Sequence, residues 1–522
     1  MNSDTVRQLL LPQAFSHPAA DAVLRETHIS WVILAGDFAY KIKKPVNFGF
    51  LDFSTPALRR HFCEQELLLN QRFAPELYLA VVTVNDDGSG PCFGGSGPVI
   101  DYAVKMRRFD EARLLDSIAA RGELERPLVR ALARELALQH SRAPRCRPGA
   151  GSNEPGSPAG LLAAIEQNFR QLRAYCLAPR QDEQLSTVEQ WTLAGFQRLR
   201  PLLERRVLQG QVIDGHGDAH LGNIALVDGR VRLFDCIEFN PALRIMDSVA
   251  GIAFLTMDLQ ARGHGAESHW LLSDYLEYDG DYPGLALLQL YRCYFAMVRA
   301  KVALLREPAD HDDIRHTGAY NDFSRYLALA GQYCQLPDRF LAITHGVSGS
   351  GKSTVADKLV AAGGALRIRS DVERKRLFGL APEERSNPAD EPRLYGSAMS
   401  RKTFSRLQQL ARQSLEAGFA VIVDATFLHR RSRDNFRRLA NELELPFVII
   451  DCIAQPGQVR QRLERRETGG QDASEAGVRV MQEQLRVSEP LQGSELACRM
   501  AAASGEDTGV LWQRLQRQLS CR

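Results

Sequence analysis

The segment from Gly346 to Thr354 constrains the fold of this chain more than any other feature. It reads GVSGSGKST and satisfies the pattern G-x-x-x-x-G-K-[ST], and it follows the apolar run 340–344. A glycine-rich loop that leads from a strand into a helix presents backbone N–H groups to phosphate oxygens. We therefore predict a strand, a phosphate-binding loop (P-loop) and a helix in this order.

Each part of the loop has an expected role. Lys352 places a point charge at the β- and γ-phosphates of a nucleotide, and Ser353 supplies an oxygen to Mg²⁺. The remaining nucleotide-binding positions are predicted to be Gly346, Ser348, Gly349, Ser350, Gly351 and Thr354.

The region after residue 340 alternates between apolar runs and helical stretches. The runs 365–368, 419–423 and 447–453 follow the first strand, and this alternation is typical of a doubly wound, mostly parallel sheet. Asp424 directly follows one run, at the sheet edge where ligands bind, and we interpret it as the magnesium-side acid of a P-loop enzyme.

Asp371 and Arg374 follow the run 365–368 and lie one helical turn apart. An Asp-x-x-Arg at this place resembles small-molecule and polynucleotide P-loop kinases. The resemblance implies that Asp371 contacts the acceptor hydroxyl as a base and that Arg374 contacts acceptor phosphate. Arg462 and Arg466 lie where related kinases keep lid arginines. Helix capping by Asp371 and Arg374, and a solvated face for Arg462 and Arg466, stay open as alternatives.

A second constellation begins with HGDAHLGN at 216–223. Asp218 precedes Asn223 by five residues, as in kinase catalytic loops. Two short alternating runs joined by an Asp-Gly turn then predict a hairpin, whose open ends bring Asn223 next to Asp235. An amide oxygen and a carboxylate suit Mg²⁺ on a triphosphate, and Asp218 can then orient or deprotonate a hydroxyl.

Such a site also needs a lysine on an N-terminal strand, paired with a glutamate on a helix. Lys41 lies in an alternating run, and Glu66 lies on the apolar face of a helix that begins at Pro56. An acid on an apolar face requires a partner. Lys41 and Glu66 are the favoured pair, with Lys43 and Glu64 as the alternatives.

These residues resemble a known family. HGDAHLGN, the hairpin and the following LFD are similar to the aminoglycoside phosphotransferase branch of the protein-kinase-like fold. The stretches YKIKKPVNFGFLDFST, YAVKMRRF and AFLTMDLQARG resemble a bacterial family in which that domain is fused to an AAA-type P-loop domain similar to zeta toxins and gluconate kinases. The resemblance implies a bilobal domain with ATP under its N-terminal lobe.

The expected fold is therefore an α+β protein-kinase-like bilobal domain followed by an α/β P-loop NTPase domain with a mostly parallel sheet. The kinase-like domain spans 1–336, with its N-lobe at about 1–108, its C-lobe at about 109–336 and a mobile Gly/Pro/Ser-rich loop at 141–160. The P-loop domain spans 337–522.

Composition narrows the function class. The 522 residues carry a net charge of +2, which does not indicate a nucleic-acid-binding protein. The ten cysteines form no C-x-x-C pair, and no run reaches the roughly 18 apolar residues of a membrane span, so we expect a cytoplasmic protein. An arginine-rich helix at 430–438 leaves nucleic acid as an alternative partner of the P-loop domain.

We therefore expect an ATP- and Mg²⁺-dependent kinase with two nucleotide sites. The N-terminal domain phosphorylates a hydroxyl of an unidentified small metabolite, and the C-terminal domain is a small-molecule or nucleotide kinase. Alternatively, the C-terminal domain is a regulatory NTP sensor, or an end-repair kinase for nucleic-acid 5′-hydroxyls. The sequence does not indicate an oligomeric state.

Overall fold

The computed structural model describes the chain except for residues 20, 50, 150–152, 176, 306–313, 336, 470–473 and 521–522. Strands and helices are numbered in chain order. The strands are β1 (Val23–Glu26), β2 (Ser30–Ala35), β3 (Phe38–Lys43), β4 (Tyr78–Asp86), β5 (Pro91–Phe93), β6 (Val99–Arg107), β7 (Val212–Asp214), β8 (Ile224–Val227), β9 (Arg230–Leu233), β10 (Ile245–Asp247), β11 (Leu341–His345), β12 (Leu366–Arg369), β13 (Val421–Asp424), β14 (Phe447–Cys452) and β15 (Arg499–Ala502).

The α-helices are α1 (Ser3–Gln8), α2 (Pro56–Asn70), α3 (Leu115–Ala120), α4 (Arg126–Arg142), α5 (Pro158–Leu172), α6 (Pro179–Leu208), α7 (Ser248–Ala261), α8 (Gly265–Asp279), α9 (Leu285–Leu304), α10 (Gly318–Tyr333), α11 (Lys352–Gly363), α12 (Ser370–Phe378), α13 (Glu391–Leu394), α14 (Ser397–Glu416), α15 (Arg430–Glu442), α16 (Pro456–Gly469), α17 (Val478–Val487), α18 (Ser494–Ala497) and α19 (Thr508–Ser520). Short 3-10 helices cover Pro12–Ala14, Glu111–Arg113, Leu221–Asn223, Pro241–Leu243, Tyr282–Gly284, Ile314–His316 and Pro388–Asp390.

The chain divides into two compact units that do not follow its linear order. Unit 1 comprises 1–125, 139–170 and 200–258, and unit 2 comprises 126–138, 171–199 and 259–522. The predicted boundary at 336/337 lies inside unit 2. It stays a prediction, because it separates two fold types rather than two compact units.

Unit 1 contains an antiparallel sheet in the order β1-β2-β3-β6-β4-β5. Helix α2 begins where the sequence predicts, because Thr55 caps it by accepting a hydrogen bond from the N–H of Leu58 (3.3 Å) and Pro56 occupies its first turn. The predicted hairpin is β8–β9, with Ile224 opposite Leu233. Ala225 and Val227 of the hairpin pack with Cys63 and Val104 in one apolar cluster, which joins the hairpin to α2 and β6.

Unit 2 contains a parallel sheet in the order β12-β13-β11-β14-β15. Apolar residues of its central strands, such as Ala342, Ile422 and Val448, pack against Leu359 of α11 and Leu511 of α19. The strand order reverses at β11, which is the position where ligands bind in open α/β sheets. The predicted fold class, a kinase-like α+β part followed by an α/β P-loop part, is confirmed.

The stretch 141–160 is partly regular. Helix α4 extends to Arg142, and α5 begins at Pro158. Between them, Arg145 forms a β-bridge with Ile213, while residues 150–152 lie outside the described residues. The predicted mobility of this loop stays a prediction.

Two adjacent arginines of α2 test how much buried charge contributes to unit 1. Arg59 is buried and donates from Nε and Nη2 to the Asp101 carboxylate at 2.8–3.0 Å, whereas Arg60 forms an exposed pair with Glu64. Removing one partner of a buried pair leaves the other charge uncompensated. Arg59→Ala should lower the free energy of unfolding by about 3–5 kcal/mol, and Arg60→Ala by about 0.5 kcal/mol or less, in urea denaturation. Equal losses would contradict this assignment of stability to the Arg59–Asp101 pair.

Candidate functional site

The Glu66 carboxylate is the centre of the kinase-type site in unit 1. It is fully buried on α2, and its two oxygens contact Lys41 Nζ (2.8 Å) and Lys43 Nζ (2.7 Å) of β3. Both favoured and alternative lysines therefore bind the same acid. The alternative acid, Glu64, lies on the surface and pairs with Arg60.

The two lysines differ in their second partner and in their exposure. Lys41 also pairs with Asp235 and is 11% exposed, whereas Lys43 pairs with Glu238 and is 1% exposed. Burial alone would lower the pKa of Lys41, but Asp235, Glu66 and Glu238 raise it well above its ordinary value. Burial would likewise raise the pKa of Glu66, but Lys41 and Lys43 lower it to about 2. These opposite shifts favour the charged forms of Lys41 and Glu66, and Lys41 is the more accessible of the two cations.

Asp235 is held at the end of the hairpin by its backbone. The N–H of Phe234 donates to Asn223 O (3.0 Å), so the open ends of the hairpin meet as predicted. The N–H of Asp235 donates to the hydroxyl of Tyr78 (3.0 Å), and its φ of 62° lies in the left-handed region that non-glycine residues rarely adopt. The strain is concentrated at a carboxylate that remains 41% exposed.

The loop that carries Asp218 is ordered by its neighbours. Asn223 Nδ2 donates to Asp218 Oδ2 (3.0 Å) and to the backbone oxygen of Asp218 (3.1 Å). The ring of His216 bonds to Phe234 O through Nε2 (2.9 Å) and accepts the N–H of Asp218 at Nδ1 (3.3 Å). The structure thus brings Asp218, Asn223 and Asp235 together around the hairpin ends.

The donor set of this cluster fits Mg²⁺. Asn223 uses its amide nitrogen on Asp218, which leaves its oxygen as the donor atom for a metal. Two lysines and three carboxylates (Asp235, Glu66 and Glu238) give this cluster a formal charge of −1. A metal held by two protein oxygens keeps waters and phosphate oxygens as its other ligands, as Mg²⁺ does. The described residues contain no group of three or more His, Cys, Asp or Glu that could hold an ion alone.

The predicted P-loop has the expected local geometry in unit 2. Three of its glycines, Gly346, Gly349 and Gly351, have φ of 133°, 82° and 95°. A side chain on Gly351 would place its Cβ 2.7 Å from Ser504 Cβ, so both conformation and space require glycine there. Helix α11 begins directly after Gly351, and its first N–H groups therefore open onto the loop.

Some polar groups of the loop form hydrogen bonds within the chain, and others do not. Lys352 Nζ donates to Val347 O (2.7 Å), and the N–H of Ser348 donates to Gln484 Oε1 (2.7 Å). The Ser350 hydroxyl oxygen is buried and has no hydrogen-bond partner among the described residues. Ser353 is half-buried in the first turn of α11, and Thr354 is exposed. An unsatisfied buried hydroxyl in a glycine-rich turn fits a phosphate oxygen.

Asp424 ends β13 beside the strand that leads into the P-loop. Strands β11 and β13 are parallel neighbours, and the Thr344 hydroxyl accepts the N–H of Ala425 (3.1 Å) and donates to Ala425 O (2.7 Å). Oδ2 of Asp424 is buried and accepts no hydrogen bond from the described residues. The Ser353 hydroxyl and this carboxylate are hard oxygen donors of the kind that Mg²⁺ binds, and their role as its ligands stays a prediction.

Asp371 and Arg374 of α12 both interact with Tyr395. The Arg374 guanidinium lies 5.3 Å from the Tyr395 ring centroid and donates to Leu394 O (3.3 Å) and Ser400 Oγ (3.2 Å). Burial raises the pKa of Tyr395, and the Asp371 carboxylate adds to this rise. Both residues therefore lie near the junction of α13 and α14, and their roles toward an acceptor stay predictions.

Arg462 reaches the P-loop from α16. Its Nη1 donates to Gly349 O (3.4 Å), and its Nη2 donates to Ser504 Oγ (2.8 Å). Arg466 belongs to the same helix, and its side chain falls outside the described part of the chain.

Two arginines of the arginine-rich helix α15 are paired within unit 2. Arg433 is buried against Glu495 (2.6 Å), and Arg437 binds Asp434 (2.9 Å) and Ser494. These contacts engage Arg433 and Arg437 within the chain, and binding of nucleic acid by the helix stays an alternative.

Sequence reasoning missed several residues that build the kinase-type site. Tyr78 positions Asp235, and Asn70 accepts the N–H of Cys236 (2.8 Å) while donating to Glu66 O (2.9 Å). Glu238 pairs with Lys43. Its acidic side chain in the apolar run after LFD was the one available signal, because an acid there requires a buried partner.

Comparison with known proteins places the chain in a family. Residues 341–491 match the family model described as AAA domain. Two proteins described as uncharacterized, Rv2004c of Mycobacterium tuberculosis and Mb2027c of Mycobacterium bovis, are each 32% identical over 462 residues, which is 88% of this chain and 90% of theirs. The chain belongs to the family of these mycobacterial proteins. The predicted fusion with a C-terminal ATP-binding domain is confirmed.

Solved structures are similar to different shares of the chain. A choline/ethanolamine kinase family protein from Mesorhizobium loti is 13% identical and covers 63% of this chain and 98% of its own, with a TM-score of 0.37. The APS kinase CysC from M. tuberculosis is 20% identical and covers 35% of this chain and 98% of its own, with a TM-score of 0.24. Both of these proteins are described as kinases. Within the described residues, every helix is too short or too polar to cross a membrane.

The buried ring of His216 gives the site a pH signature. Burial lowers the pKa of His216 from 6.5 to about 4, so the folded protein favours the neutral ring. The stability that this contributes is complete above pH 6.5 and is lost as the pH falls toward 4. From pH 7 to pH 5 the loss should be about 2 kcal/mol, and His216→Asn should remove that share of the acid destabilisation in urea titrations. His61→Asn on the surface of α2 is the control. An unchanged pH slope in His216→Asn would show that His216 is not held neutral.

Proposed function

We propose that this chain is an ATP-dependent phosphotransferase with a kinase-type site in unit 1 and a P-loop kinase site in unit 2. The observation that carries the proposal is the grouping of Lys41, Glu66 and Asp235, which are up to 194 positions apart in the chain, next to the hydrogen-bonded pair Asp218–Asn223. This grouping supplies a cation for phosphates, oxygen donors for a metal and a carboxylate for a hydroxyl. Phosphoryl transfer needs these three elements in one place.

In the kinase-type site, Glu66 fixes the Lys41 ammonium so that it can bind nucleotide phosphates. Asn223 and Asp235 hold Mg²⁺, which would neutralise charge on the transferring phosphoryl group. Asp218 is oriented by Asn223 and lies half-exposed, where it orients an incoming hydroxyl or accepts its proton. Catalysis here consists of positioning and charge neutralisation.

In the P-loop site, the loop backbone and Lys352 bind the phosphates of ATP. Ser353 and Asp424 are the residues that hold Mg²⁺. Asp371 acts as the base toward the acceptor hydroxyl, Arg374 binds acceptor phosphate, and Arg462 and Arg466 bind nucleotide from α16. The acceptors of both sites are small hydroxyl-bearing molecules. This functional division follows the boundary at 336/337, with ATP and Mg²⁺ used on both sides of it.

A regulatory role for the P-loop site is the second candidate. One observation favours it. The P-loop segment, residues 337–522, shares unit 2 with α8, α9 and α10, and these three helices precede that segment in the sequence. A nucleotide-dependent change at the P-loop would act directly on those helices. Under this candidate, Lys352→Ala changes the rate at the kinase-type site without abolishing any labelled product. The end-repair alternative has less support, because two arginines of α15, Arg433 and Arg437, pair within the chain.

Transfer of labelled phosphate from ATP tests the proposal. A metabolite extract is incubated with the wild type, Asp218→Asn or Lys352→Ala. Asp218→Asn should lower labelling of one species by about 10²–10⁴-fold because it removes the base, and ATP binding should persist. Lys352→Ala should remove a different species. Equal labelling of the same species by all three proteins would overturn both site assignments.

The two lysines of β3 should separate binding from stability. Lys41→Met should lower transfer at the kinase-type site by about 10²-fold or more, because it removes the accessible cation. Lys43→Met should lower the free energy of unfolding by about 3–5 kcal/mol, because it leaves Glu238 buried without its partner. Steady-state kinetics in ATP and urea denaturation measure the two effects. A larger increase in the KM for ATP in Lys43→Met would identify Lys43 as the phosphate-binding lysine.

A further inference from the structure

Helix α8 lies before the P-loop segment in sequence, yet it packs against that segment within unit 2. Its side chains bond to the P-loop helix α11 and to the edge strand β12 on successive turns. The bonds are His269 Nδ1 with Ala361 O (3.1 Å), Trp270 Nε1 to Asp357 O (3.0 Å) and Arg367 N to Ser273 Oγ (3.1 Å). Helix α8 therefore forms one wall of the P-loop segment.

Buried ion pairs add to the contact of α8 with the P-loop segment. Asp274 and Glu277 of α8 are fully buried. Glu277 Oε1 accepts from Arg367 Nη2 (2.9 Å), and Arg126 bridges Asp274 to Asp357 of α11 (2.8 Å to each carboxylate). Acids buried on this helix are therefore matched to arginines of the P-loop segment and of α4.

The last arginine of this network lies beside the magnesium-side acid. Arg369 ends β12, directly opposite Asp424 in the β12–β13 register. Its Nη1 is 3.6 Å from Glu277 Oε2, and its Nε is 4.0 Å from Asp424 Oδ2. Neither Glu277 Oε2 nor Asp424 Oδ2 has a hydrogen-bond partner among the described residues, so both contacts with Arg369 are ion pairs without a hydrogen bond. One guanidinium thus lies between two carboxylates, and the carboxylate needed for Mg²⁺ keeps an open oxygen.

We infer that Glu277 is a positioning residue of the P-loop site, which holds Arg369 away from Asp424. An arginine bonded to Asp424 would neutralise that carboxylate and occupy the oxygen that a metal needs. The negative charge of Glu277 competes for the same guanidinium and prevents this bond. The inference deepens the proposed function and rests on its assignment of Asp424 to magnesium.

The network explains why a residue outside the P-loop segment affects its metal. Without the Glu277 charge, Arg369 is drawn to Asp424, the carboxylate 4.0 Å from its Nε. Mg²⁺ must then displace the arginine before it can bind. Nucleotide binding without metal should not change, because in the proposed site Lys352 and the loop backbone bind the phosphates.

Binding of the non-hydrolysable analogue AMPPNP to the full chain tests this inference by isothermal titration at several Mg²⁺ concentrations. The site of interest is the one that Lys352→Ala abolishes. Glu277→Gln should raise the Mg²⁺ concentration for half-maximal binding by about tenfold, a typical coupling between two sites, and metal-free affinity should stay unchanged. Glu267→Gln is the matched control on the same helix, since Glu267 contacts His264 rather than the arginine network.

A second variant keeps the test decisive if Glu277→Gln folds poorly. Arg369→Gln removes the competing cation, so its Mg²⁺ requirement should be equal to or below that of the wild type. Adding Glu277→Gln to Arg369→Gln should then have no further effect on the Mg²⁺ requirement. A higher requirement in Arg369→Gln, or no change in Glu277→Gln, would overturn the positioning role. If the wild type shows no AMPPNP binding that Lys352→Ala abolishes, the proposed function of the P-loop is overturned instead.

Discussion

The carboxylate of Glu66 is the interaction on which unit 1 depends. It is removed from solvent entirely, and an isolated charge in that position would be prohibitively unfavourable. Lys41 and Lys43 must therefore stay on one face of β3 and point at α2. The second partners of these lysines, Asp235 and Glu238, come from the segment after the hairpin. Sheet, helix and hairpin are thus joined through a single buried acid.

Charge burial of the same kind organises unit 2. Asp274 and Glu277 are matched to arginines, and Arg433 is matched to Glu495. Buried pairs contribute little net stability relative to apolar residues, because their desolvation offsets their attraction. Their effect is geometric, since a buried charge tolerates few arrangements of its neighbours. In each unit one carboxylate of the candidate site lies next to such a pair: Asp235 beside Lys41–Glu66, and Asp424 beside Arg369–Glu277.

Local sequence signals predicted the individual elements of the sites. Ion pairs between residues that are far apart in the sequence determine how those elements pack together. The Asp228-Gly229 turn predicted the hairpin, and Thr55 with Pro56 predicted the start of α2, because each signal acts within a few residues. The P-loop glycines were equally informative, since their positive φ values require glycine. By contrast, β15 has four residues and no distinctive pattern, and it was not predicted. The pairing of Lys43 with Glu238 spans 195 positions, so no local pattern identifies Lys43 as the partner of that acid.

The edge strand β12 shows why unit 2 includes helices that precede residue 337, where the fold type is predicted to change. Its sequence LRIR places Arg367 and Arg369 on the same face, and both are buried. An open strand edge invites pairing with other chains, and a buried arginine without an acid is costly. Helix α8 resolves both problems at once, because Ser273 accepts the edge N–H of Arg367 and Glu277 binds the arginines. A P-loop segment that began at residue 337 would lack these partners. The pattern of alternation therefore locates where the fold type changes, whereas buried charge determines which helices the P-loop sheet needs in order to be complete.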